Sequence, residues 1–175
     1  MKTINAALFL GLVACVIGAN VPKMPQGCAD VHNKAVSDFK YKDFFKGQWY
    51  LTHAKLRVTN AKNCETFTAN GEQATFTLNG QSVSCKIEKV TGARFTKFNC
   101  QMGNNKFTSY VSVLATDYTK YALVYRCGSH EGPTKDNYLV GQRTKGTTFP
   151  AGLTSSLGSK GLKQSDFQSY TCPTS

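Results

Sequence analysis

Between Gln48 and Arg143 the chain runs in short stretches rich in Phe, Tyr, Thr and Val, broken by Gly and Asn. The stretches Thr66–Ala69, Ala74–Leu78, Ser82–Val90, Arg94–Cys100 and Phe107–Ala115 are separated by Asn70-Gly71, Asn79-Gly80, Gly92 and Gly103-Asn104-Asn105. Runs of this length, punctuated by hairpin residues at regular spacing, predict antiparallel strands in a barrel or sandwich. Asn79-Gly80 is the strongest turn signal, because both residues tolerate the positive φ that a two-residue hairpin demands. Helix is confined to the ends. Asp30–Tyr41 has room for a short amphipathic turn before the first strand. Pro150 opens a stretch with Leu153 and Leu157 four apart, weakened by Gly158 and Gly161, and Ser165 is placed to cap Asp166–Tyr170. No internal repeat or low-complexity linker interrupts the pattern, so one domain is expected.

The ends and the composition set the compartment. Lys2, an apolar run from Ala6 to Ala14, and the small pair Gly18-Ala19 read as a secretory signal peptide over residues 1–19. No later apolar stretch approaches the roughly 18 residues of a membrane span, so residues 20–175 are expected to be secreted and unanchored. Cys15 leaves with the signal, and six of the seven cysteines remain. An even number in a secreted chain reads as three disulfides, for which sequence alone allows fifteen pairings. The formal net charge of +11 falls by one with Lys2 and favours anionic partners. The cations are scattered with no basic run, which argues against nucleic acid.

Catalysis finds no support. There is no Gly-x-Ser-x-Gly, His-Glu-x-x-His, P-loop or Gly-x-Gly-x-x-Gly. The carboxylates are few and dispersed, so no acid/base pair is evident. The expectation is a protein that binds rather than transforms.

Gly47-Gln48-Trp49-Tyr50, then Thr116-Asp117-Tyr118, then Val140-Gly141-Gln142-Arg143 occur in this order. Together they resemble the lipocalin signature, and the stretches Gln48–Ala54 and Val113–Leu123 resemble the salivary lipocalins of blood-feeding triatomine bugs. The resemblance covers essentially the whole mature chain. It implies an all-β fold: an eight-stranded antiparallel up-and-down barrel with short terminal helices, closed at one end by Trp49 with Arg143 lying over it. It also implies the pairings Cys28–Cys127, Cys64–Cys172 and Cys85–Cys100. Members of that group counter host haemostasis by holding small agonists, by carrying nitric oxide on haem, or by inhibiting clotting proteins.

A haem site like that of the nitric-oxide carriers in the group would need a histidine on a barrel strand after the second cysteine, since imidazole is the iron's proximal ligand there. His32, His53 and His130 all lie outside the stretch between Cys64 and Cys127, so no cofactor is expected. If Trp49 points inward, period-two alternation also turns Leu51 and His53 into the cup. Matching the family's strands adds Ala122, Val124 and Arg126, then Tyr110, Ser112 and Leu114, then Leu139. The expected ligand site is therefore Arg126, Tyr110, His53, Leu51, Val124 and Leu139, with Arg126 gripping phosphate or carboxylate through two parallel hydrogen bonds. Such a cup suits a small anionic or amphipathic host agonist, ADP or an eicosanoid such as thromboxane, bound by a monomer that thereby inhibits platelet aggregation. The alternative is a host clotting protein docking on rim cations such as Lys55, Arg57 and Lys62.

Overall fold

The computed structural model describes residues 21–56, 65–78, 80–129 and 134–172. The expected signal segment, Arg57, Lys62, Cys64, Asn79 and His130 lie outside them. Among the described residues eight barrel strands form in chain order: β1 (Lys46–Ala54), β2 (Thr66–Asn70), β3 (Gln73–Leu78), β4 (Gln81–Lys89), β5 (Thr96–Met102), β6 (Asn105–Thr116), β7 (Tyr121–Ser129) and β8 (Lys135–Gln142). Each pairs antiparallel with its successor, β8 returns to β1, and β1 pairs with β2 to close the barrel. Alternation drives this: on β4, Val83, Cys85 and Ile87 are buried, while Ser82, Ser84 and Lys86 face water. Cys85 and Cys100 sit directly opposite on β4 and β5 and are bridged, and Cys28 is bridged to Cys127 on β7. The expected Cys64–Cys172 pair falls partly outside the described residues.

The closed end is a convergence on Arg143. Its guanidinium lies 3.7 Å from the Trp49 ring. Nη1 donates to the carbonyls of Lys46 (2.6 Å) and Gln48 (3.0 Å), Nη2 to those of Asp43 and Phe44, and Nε to Tyr118. Gly47 makes the first pair possible: at φ +74 it occupies backbone that disfavours a side chain, and it turns both flanking carbonyls toward Arg143. Tyr118 shows a non-glycine positive φ of 67, held because the Asp117 Oδ1 accepts the N–H groups of Thr119, Lys120 and Tyr121. The Trp49 indole N–H donates to Phe44, and the two rings stack with centroids 5.0 Å apart.

A second apolar layer lies outside the barrel. Helix α2 (Ala151–Leu157) places Leu153 and Leu157 with Val31 and Ala35 over Leu114, Leu123, Tyr125 and Val140. Burial pushes the Tyr125 phenol up; it accepts from the Ala29 N–H and donates to Asp136, tying the N-terminal segment down beside Cys28–Cys127. The short turn expected within Asp30–Tyr41 forms at His32–Lys34 as a 3-10 turn, and a one-turn helix α1 (Tyr41–Phe44) follows; between them the Val36 N–H bonds the Val113 carbonyl and draws the chain out. One helical expectation changes. Asp166–Tyr170 is not helical. Asp166 instead accepts the Lys163 N–H in a 3-10 turn, and Gln168–Ser169 extend as β9 along β1.

His53 is the clearest departure from simple alternation. The β1–β8 register slips between Leu51 and His53, so Thr52 is an extra residue and the faces exchange. His53 therefore leaves the cavity and packs outside, 5.2 Å from the Phe149 ring. Nε2 contacts the Thr147 carbonyl and Nδ1 the Thr52 hydroxyl, each at 3.0 Å. Burial lowers its pKa from the usual value, opposed by the Thr147 hydrogen bond.

Two outcomes follow for stability. Trp49→Ala removes a buried indole and is expected to cost about 3–5 kcal/mol, read as a lower denaturation midpoint at unchanged slope. For His53 the folded pKa lies below the unfolded one. Its contribution is full above the ordinary histidine pKa of 6.5 and is lost as pH falls through the depressed folded value. Thermal midpoints of His53→Gln should show a flatter acid limb than those of the parent; identical limbs would assign the acid sensitivity to other groups.

Candidate functional site

The inner faces of the strands enclose one apolar cavity floored by Phe44, Phe45 and Trp49. Above the floor stand Leu51 from β1, Val124 from β7 and Leu139 from β8, with Phe67, Phe98 and Val111 opposite. The cavity holds about 140 Å³, narrow beside the roughly 300–1,000 Å³ usual for ligand pockets. A slender chain suits it better than a broad ring system.

Polar groups gather at the end away from Trp49. Arg126 follows Ala122 and Val124 along the inward face of β7 and borders the cavity. Its guanidinium reaches across the lumen to within 6.0 Å of the Phe76 ring on β3, four strands away around the barrel. Burial lowers its pKa, and the Glu65 carboxylate opposes that shift; a guanidinium stays charged in a protein regardless. Glu65 also lines the cavity; burial raises its pKa and Arg126 pulls it back. Among the described residues the two ion pairs within 4.0 Å belong to Lys86 and Lys97 with Glu88, out on the barrel surface. Arg126 and Glu65 thus feel each other without closing into a salt bridge.

The structure brings Arg126, Leu51, Val124 and Leu139 together in this cavity. It places two expected residues elsewhere. His53 lies under Phe149 because of the β1 bulge. Tyr110 is off by one register position: it pairs with Cys127 on the outer face of β6 and packs edge-on against Phe95, while Ser109 and Val111 face inward. Ser112 and Leu114 face outward with it, Ser112 donating to the Arg94 carbonyl and Leu114 joining the outer layer. Of the rim cations, Lys55 is described, with its ammonium 5.6 Å from the Tyr138 ring. Glu65 is the residue that sequence reasoning missed. Counting back by two from the inward Phe67 would have found it.

This geometry matches that of known ligand-holding barrels. A variant of LTBP1 in complex with leukotriene C4 superimposes with a TM-score of 0.78 and 34% identity, over 86% of this chain and 99% of that one. The tryptamine complex of the amine binding protein of Rhodnius prolixus gives 0.65 and 25%, over 82% and 85%. By sequence, Triabin of Meccus pallidipennis is 30% identical over 162 residues, covering 86% of this chain and 96% of the relative. These solved neighbours are binding proteins. No helix among the described residues is long and apolar enough to cross a membrane. The sequence model of the Triabin family matches residues 19–156, and the chain belongs to that family.

Proposed function

We propose that this chain is a secreted protein that sequesters a small amphipathic agonist of host haemostasis, an eicosanoid, and thereby inhibits platelet aggregation. The observation that carries this reading is Arg126: a guanidinium with no ion pair within the described residues, held across the mouth of a narrow apolar cavity. An aliphatic tail laid against Leu51, Val124 and Leu139 leaves its carboxylate at the guanidinium, where a charge-assisted pair of hydrogen bonds is strongest. The leukotriene C4 complex of a structural neighbour supports a lipid ligand. The cavity argues against ADP, because a diphosphate needs several cations and Arg126 has a carboxylate for company. Docking of a clotting protein on the rim is the competing reading, and the cavity lends it no support.

Isothermal titration with thromboxane analogues, leukotrienes, ADP, serotonin and thrombin separates these readings. Eicosanoid binding at one site per chain is expected, with thrombin silent. Arg126→Ala should weaken it by about 1.5–3 kcal/mol. Arg126→Lys should restore only part, since an ammonium cannot reproduce the fork. Inhibition of platelet aggregation should require protein mole for mole with agonist; inhibition far below that ratio would point to a receptor or protease and end the sequestration reading.

A further inference from the structure

Glu65 immediately precedes β2, and its carbonyl accepts the Leu51 N–H at 2.8 Å, which fixes it beside the apolar wall of β1. Two residues on, Phe67 faces the cavity, so alternation turns Glu65 the same way. A carboxylate in such a wall is costly unless something answers it. Arg126, reaching over from β7, is the answering charge, yet the two stop short of contact. The mouth therefore presents a fixed positive group and a fixed negative group separated by a gap, above an apolar floor.

Building on the reading above, we propose that Glu65 is a specificity-determining residue: it selects ligands whose head group is a zwitterion, with the anionic group at Arg126 and an ammonium at Glu65. A purely anionic head gains at the guanidinium but meets repulsion from the carboxylate, and gives up water at both. A purely cationic head suffers the converse. A head bearing both charges inserts into the gap and satisfies each in the low-dielectric mouth, where such pairs are worth most. The device is a charge filter: it passes amphiphiles by the pattern of charge rather than by its sign.

Three amphiphiles of one chain length test this: palmitate, hexadecylamine and α-aminopalmitate, titrated into the parent protein, Glu65→Gln and Arg126→Gln. For the parent, α-aminopalmitate should bind about tenfold or more tighter than either singly charged lipid. Glu65→Gln should erase that advantage and improve palmitate about tenfold; Arg126→Gln should favour hexadecylamine. Thermal midpoints close to the parent's would show the variants folded. The ranking on the unaltered protein decides the matter even where a variant fails to fold. Palmitate binding as tightly as α-aminopalmitate to the parent would overturn the filter while leaving sequestration standing. No binding of any of the three would overturn both.

Discussion

Everything in this barrel hangs on how one guanidinium is hydrogen-bonded. A barrel of eight strands must be shut at one end, and the closing chain segments bring carbonyls whose helical or ladder partners have run out. Arg143 collects five of them, from the N-terminal helix, from the start of β1 and from the β6–β7 turn. Its planar face meanwhile covers the Trp49 ring. No aliphatic side chain could do both, and an ammonium lacks the planar fork to reach so many acceptors. The positive φ at Gly47 and Tyr118 belongs to the same arrangement, as the backbone cost of aiming carbonyls at a single cation.

With that end secured, the opposite end is free to carry chemistry. Arg143 is consumed by the scaffold. Arg126, on the neighbouring strand β7, projects into the lumen, where among the described residues it feels the Glu65 carboxylate and lies 6.0 Å from the Phe76 ring. The same residue type thus stands in two settings, and what separates them among the described residues is the supply of carbonyl oxygens. The apolar walls between them, Leu51, Val124 and Leu139, were expected to line the cup, and they line the cavity.

Much of this was legible in the chain itself. The Gly-x-Trp, Thr-Asp-Tyr and terminal Arg elements marked the closed end, and α2 was foreshadowed by Leu153 and Leu157. The inward setting of Arg126 also matched expectation. What alternation could not supply was its own interruptions. Thr52 is an extra residue in β1, and nothing in Leu51-Thr52-His53 marks the bulge, so His53 was carried to the wrong face. Tyr110 failed for a related reason: β6 has its own irregularity between Val113 and Ala115, and a count taken from the wrong phase flips the strand. Glu65 was overlooked because a lone carboxylate outside the Phe-, Thr- and Val-rich runs reads as loop.

Among the described residues, the outer layer of α2 and the terminal segments lies on one side of the barrel. It packs on β6, β7, β8 and the end of β1, whereas the outer faces of β3 and β4 carry Thr75, Thr77, Ser82, Ser84 and Lys86 against open water. One half-cylinder is a laminate and the other a single sheet, stitched at Cys85–Cys100. Bending stiffness rises steeply with thickness, so the thin side is the more compliant wall of the cavity. Arg126 sits on β7, beneath the laminate, so the guanidinium is mounted on the stiffer half and the compliant wall lies across the lumen from it.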